Sequence, residues 1–343
     1  MVRKIKKKKS GIRIFVLVLL MVVFAAFAYR SIITPGNHQI SEKEYEDETS
    51  LNSYIKIIPD SSGDRMTTVP PSKIETDHSV SISLSSNKLN STNAILIRLK
   101  DNTILMQKNS EEKIYPASMT KIMTAIIAIE NLPDLNEEIE LTHYTFNGLY
   151  SAEASMAGFK PGERVRAIDL LYGVMLPSGA ECCIALADHI AGSEKNFVKL
   201  MNQKAVVLGM GNTHFENTTG LHDENHYTTV KDLSILLIYA LQKDTFRDIF
   251  TSSRHSTQPT NKHPGGITFY STMFEALGDQ DIIGGEILGG KTGYTDEAGL
   301  CLASLAKVGN QEYILVTAGA KGSQYSEQFN ISDALAVYNS IRK

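Results

Sequence analysis

Apolar and polar positions along the 343-residue chain fall into blocks of distinct period. Residues 14–29, IFVLVLLMVVFAAFAY, are apolar throughout and carry no charge. As a helix this run would reach about 24 Å, a little short of the roughly 30 Å hydrocarbon core. Arg13 and Arg30 flank it and can snorkel outward to close the difference. From residue 31 to about 91 apolar residues thin out among Ser, Thr, Asn, Asp and Glu, which predicts a flexible linker rather than a core. Order is expected from NAILIRLKDNTILMQKN onward, where β-rich runs at 94–99 and 103–107 flank a Lys-Asp-Asn turn and predict a hairpin. Helical spacing then covers 167–175, 181–191, 194–208 and 231–241. LCLASLAKVGNQEYILVTAGA predicts a second hairpin turning at Gly309-Asn310, and 327–342 a final amphipathic helix. Strands at both ends with helices between predict one α+β domain over 86–343, its antiparallel sheet gathering the N- and C-terminal strands.

Charge changes the picture at the N-terminus. Residues 1–13 carry seven Lys or Arg and no acid, although the whole chain has a net charge of -4. That balance gives no reason to expect a nucleic-acid partner. Basic residues before an apolar run predict a cytoplasmic tail at 1–13 and a transmembrane signal-anchor at 14–29. An extracytoplasmic linker at 30–85 would follow, leaving the domain outside a cell membrane crossed once. The alternative is secretion after cleavage near Ala28, where AFA resembles a small-x-small processing site. Three cysteines make no disulfide framework; Cys182, Cys183 and Cys301 read as small buried hydrophobes.

The stretch YPASMTKIMTA places Ser118 and Lys121 three residues apart at the start of a predicted helix. That spacing returns both side chains to nearly the same face, one turn apart, where the helix dipole favours developing negative charge. Alone, such a pair is a weak signal. Two further stretches strengthen it: MLPSGAEC sets Ser178 in a turn between helical patterns, and GGKTGYTDEAG sets Lys291, Thr292 and Gly293 before the final hairpin. The order SxxK, serine turn, KTG belongs to penicillin-binding proteins and class A β-lactamases. With FKPGERV, LLYGVMLPSGAE and FENTTGLH, residues 86–343 resemble the low-molecular-mass D-alanyl-D-alanine carboxypeptidases, a serine peptidase family.

The resemblance implies a β-lactamase/transpeptidase-like fold and roles for particular residues. Ser118 would attack the carbonyl of a terminal D-Ala-D-Ala bond, with Lys121 as base if burial and Lys291 depress its pKa. Backbone N–H groups of Ser118 and Tyr294 would hold the oxyanion. Lys291 and Thr292 would bind the substrate carboxylate, and Gly293 would leave room for a substrate strand. Ser178 would relay a proton to the leaving amine. The implied partners are peptidoglycan stem peptides, with β-lactams as covalent inhibitors; no metal or cofactor is implied. Other members often carry a C-terminal β domain and anchor, so with the sequence ending at Lys343 attachment is expected through the N-terminal segment.

One position departs from the pattern. Where the family usually has Asn, this chain has Ala180, which can hydrogen-bond neither lysine nor substrate. Glu181 follows, either reaching the site or serving as an ordinary acid in a first helical turn. Two alternatives stay open: a β-lactamase, which shares the fold although no class A-like deacylation motif is present, and, motivated by Ala180, a weakly active penicillin- or wall-binding protein. Glu153 is a candidate on a loop over the site. His222 and His226 read as loop residues packing a turn rather than metal ligands, and His255 and His263 as exposed.

Overall fold

The computed structural model describes residues 83–341. The predicted signal-anchor and most of the linker lie outside the described residues. Among the described residues no helix is long and apolar enough to cross a membrane.

The first hairpin forms as expected from β1 (Asn93–Arg98) and β2 (Thr103–Lys108). Helix α1 (Lys121–Asn131) follows, then a short β-ribbon of β3 (Glu138–Leu141) and β4 (Glu163–Arg166). Four helices come next: α2 (Ala167–Met175), α3 (Ala180–Ala191), α4 (Glu194–Leu208) and α5 (Val230–Ala240). After α6 (Asp244–Phe250), a second ribbon pairs β5 (Arg254–Ser256) with β6 (Thr268–Tyr270), leading into α7 (Thr272–Leu277). The chain closes with β7 (Gly285–Thr295), β8 (Gly299–Val308), β9 (Gln311–Ala320) and α8 (Phe329–Ser340).

Five strands make one antiparallel sheet in the order β2-β1-β9-β8-β7. The N-terminal hairpin therefore joins the C-terminal strands through β1 and β9, with Leu96 opposite Leu315. Alternation along β1 explains why all six of its residues are buried. Ile95 and Ile97 enter the large core beneath α1, α2, α3 and α5, while Ala94 and Leu96 enter a smaller core under α8. Both faces of the sheet are covered, so β1 reads as a continuous apolar run. β7 is an edge strand, and its free edge borders the site.

Residues 83–92 are polar apart from Leu84 and Leu89, which pack on the smaller core, and they are held. The Asp333 carboxylate of α8 accepts from the backbone and side chains of Asn90 and Ser91 at 2.7–3.0 Å, so order begins before β1. The expectation for His255 and His263 is corrected: both are largely covered. Nε2 of His255 lies 2.7 Å from the buried Asp169, and Nδ1 of His263 lies 2.7 Å from the buried Glu163. Burial alone would raise the Asp169 pKa, but hydrogen bonds from His255 and Arg166 outweigh it and hold the carboxyl below its ordinary value. Buried carboxylates need such partners, and these pairs dock the β5–β6 ribbon.

Candidate active site

The turn that carries Ser118 is built by tight winding. Residues Ala117–Thr120 form a 3₁₀ turn that feeds directly into α1. With about three residues per turn, side chains at i and i+3 eclipse, which is tighter alignment than α-helical spacing alone supplies. Lys121 Nζ accordingly donates to Ser118 Oγ at 3.1 Å, and to the Thr219 carbonyl at 2.6 Å. Lys121 is 2% exposed and Lys291 1%. Burial pushes the Lys121 pKa down, opposed in part by the Glu181 charge. Burial and then the Lys121 charge push Lys291 well below its ordinary value. Two amines in one dry site disfavour each other's protonation. Lys291 Nζ donates to the Thr292 carbonyl at 2.9 Å.

Ser178 lies between α2 and α3 with φ of 65°, a region that disfavours side-chain-bearing residues. Its Oγ is buried and has no hydrogen-bond partner among the described residues. Such a group in a strained turn, lining the same lobe as Ser118, is placed to exchange protons with a bound ligand. Ala180 opens α3 and lines the cleft without a polar side chain.

Of the two expectations for Glu181, the structure gives the acid in a first helical turn. It lies in the first turn of α3 but is fully buried rather than solvated, and it hydrogen-bonds neither Lys121 nor Ser118. Its Oε1 accepts from the backbone N–H groups of Ala157 and Gly158, both at 2.8 Å, and burial raises its pKa. It fastens the loop forming one cleft wall. Glu153 belongs to that loop and lines the cleft without hydrogen-bonding Ser118 or Lys121.

Gly293 lies where β7 meets the turn of Ser118. A Cβ there would fall 3.1 Å from Ser118 N and 3.2 Å from both the Ala117 Cβ and the Pro116 carbonyl oxygen. Its missing side chain lets β7 lie against that turn, bringing the backbones of Ser118 and Tyr294 together at one end of the cleft. Thr292 Oγ1 lies 2.7 Å from Thr272 Oγ1 at the start of α7, and Tyr294 OH donates to Asp296 at 2.6 Å.

The cleft has two lobes. One runs between the loop of Glu153 and the turn of Gly220 and His222; the other runs past Ser178, Thr272 and Thr292. Ser118, Ser155, Tyr294 and Gln324 line both. Thr219, Gly220, Thr272 and Gln324 carry no role in the sequence pattern, and Ser155 is placed by it only with Glu153 on a loop over the site. The stretch FENTTGLH pointed to the first two without saying what they do. His226 packs a turn, as expected: its Nδ1 accepts from Glu216 N at 3.2 Å, so Nε2 carries the hydrogen donated to Thr120 Oγ1 at 2.9 Å. Among the described residues no group of His, Cys, Asp and Glu could hold a metal ion.

Residues 80–322 match the family model described as D-alanyl-D-alanine carboxypeptidase. The chain is 34% identical over 227 residues to D-alanyl-D-alanine carboxypeptidase DacF of Bacillus subtilis, covering 66% of this chain and 57% of that protein. It is 31% identical over 264 residues to DacC of Escherichia coli, covering 71% and 60%. The match thus spans less than two thirds of either relative. Among solved structures, the Streptomyces K15 DD-transpeptidase superposes with a TM-score of 0.67 at 28% identity, over 75% of this chain and 98% of that one.

Proposed function

Since this chain belongs to the D-alanyl-D-alanine carboxypeptidase family of serine peptidases, we propose that it removes the terminal D-alanine from peptidoglycan stem pentapeptides. The observation that carries this reading is the 3.1 Å contact between Lys121 Nζ and Ser118 Oγ inside a buried site. As Ser118 Oγ bonds to the carbonyl carbon, its proton passes to Lys121. The N–H groups of Ser118 and Tyr294 hold the tetrahedral oxyanion. Collapse breaks the C–N bond, and Ser178 passes a proton from Lys121 to the departing amine. Water then releases the acyl group from Ser118. Lys291 and Thr292 receive the substrate carboxylate, and the free edge of β7 takes the peptide as an added strand. β-Lactams acylate the same serine.

The catalytic domain works outside the cell, held by the apolar run at 14–29 with residues 1–13 on the cytoplasmic side; the charge asymmetry supports this placement. A second reading, a penicillin- or wall-binding protein of low turnover, is motivated by Ala180. Intact-protein mass of the full chain after mixing with benzylpenicillin tests the first reading, followed by an assay of D-alanine release. A lasting adduct absent from Ser118→Ala, together with D-alanine release, is expected. An adduct without release favours the binding protein, and rapid penicillin hydrolysis without an adduct favours a β-lactamase.

A further inference from the structure

The wall of the cleft beside Ser178 offers a ligand unequal chemistry along its length. At position 180 it offers no polar side chain, for Ala180 is buried, and Ala180 N–H is already used, donating to the Ser155 carbonyl at 2.8 Å. A peptide backbone passing that position gains no hydrogen-bond partner from it, which weakens binding and the transition state alike. Of the four residues that line both lobes, Ser118 is held by Lys121 and the Tyr294 hydroxyl by Asp296. Gln324 belongs to an exposed loop after β9. Ser155 differs from all three: its side chain is exposed in the cleft, and its hydroxyl makes no hydrogen bond among the described residues.

The backbone that carries this hydroxyl is fixed at three points. Its own carbonyl is bound by Ala180 N–H. Two and three residues further on, Ala157 and Gly158 donate to the buried Glu181. Gly179 passes so close that a Cβ there would fall 2.7 Å from the Ala157 Cβ. The segment 155–158 is thereby fastened to the 178–181 turn, and a free hydroxyl is held next to position 180. A group positioned before substrate arrives loses little entropy on binding.

We propose that Ser155 is a substrate-binding residue, its hydroxyl pairing with the stem-peptide backbone where position 180 offers no polar side chain, and that Glu181 is the positioning residue that holds it there. This rests on the reading of the cleft as a D,D-peptidase site.

The test is kcat/KM of the full-length protein on a pentapeptide ending in D-Ala-D-Ala, alone and in a double-mutant cycle. Ser155→Ala is expected to lose about tenfold, the usual effect of one hydrogen bond. In an Ala180→Asn background, where an amide supplies the missing polar group, Ser155→Ala should lose less than about threefold. Equal losses in both backgrounds, or less than twofold in the first, overturn the role of Ser155. Glu181→Gln keeps an oxygen for the two N–H groups and should stay within about threefold of wild type. Glu181→Ala should lose about tenfold, with no further loss when combined with Ser155→Ala; additive losses overturn the positioning role. A wild type that neither releases D-alanine nor takes a penicillin adduct overturns the underlying reading as well. A turning-over wild type with indifferent Ser155 variants overturns this inference alone.

Discussion

Gly220 passes so close to Ala117 that a Cβ on it would stand 1.8 Å from the Ala117 carbonyl oxygen and 2.4 Å from its carbon. Gly220 also has a φ of +80°, which a side chain disfavours. This contact keys the loop holding one of Lys121's two partners, the Thr219 carbonyl, to the turn holding the other, Ser118.

Gly220→Ala must therefore move one of two backbones. Shifts near 1 Å at a reacting centre can cost on the order of a hundredfold. We expect the rate of Ser118 acylation by benzylpenicillin to fall by about that factor, with a lowered Tm. A rate within threefold of wild type would show that the two segments are not rigidly keyed.

With Lys121 as the base in the proposed mechanism, its titration is expected to set the pH dependence of acylation. Only the neutral amine accepts the Ser118 proton, so the rate rises with pH as the ammonium deprotonates and then levels off. Because burial depresses the pKa, the midpoint is expected below the ordinary lysine value of 10.5. Lys121→Arg cannot deprotonate and should lose about a hundredfold or more. The acylation rate of both proteins measured from pH 5 to 11 decides this; a limb centred at 10.5 would contradict it.

His226 makes stability fall on mild acidification. Burial lowers its pKa from 6.5 to about 4, so the unfolded chain takes up the proton first as pH falls. The sign follows: its contribution is intact above pH 6.5 and is lost progressively down to about pH 4, amounting to about 3 kcal/mol. His226→Asn lacks this titration. Denaturant unfolding followed by circular dichroism at pH 7.5 and 4.5 should show the wild type losing more stability than the variant. Equal losses would place the acid sensitivity elsewhere.

The cysteines should be silent to thiol reagents. Cys182, Cys183 and Cys301 are free and fully buried, and burial pushes the latter two up to about 12. Iodoacetamide at pH 8 should add nothing to the native protein and three groups after unfolding, read by mass. Native labelling would indicate an opening of α3 or β8.

Elements with long periodic patterns were legible without coordinates. The predicted helices 167–175 and 194–208 coincide with α2 and α4, and the two hairpins with β1–β2 and β8–β9. The ribbons β3–β4 and β5–β6 went unseen because strands of three or four residues are too short to show a period. The 3₁₀ turn at Ser118 was also hidden. Its i and i+3 alignment refines a spacing that was already visible.

The sequence by itself determined the pairing of Ser118 with Lys121, because three residues of local winding bring them together. It determined the strand-helix-strand order and the first hairpin. Only the tertiary structure decided that Thr219 and Gly220, about a hundred residues from Lys121, complete that lysine's surroundings. It also decided that Gly293 clears space for Ser118, that Glu181 turns inward to hold a loop, and that Thr272 meets Thr292. Periodicity reports which face of its own element a residue occupies. Which distant backbone that face meets depends on packing the whole core, and no local pattern encodes it.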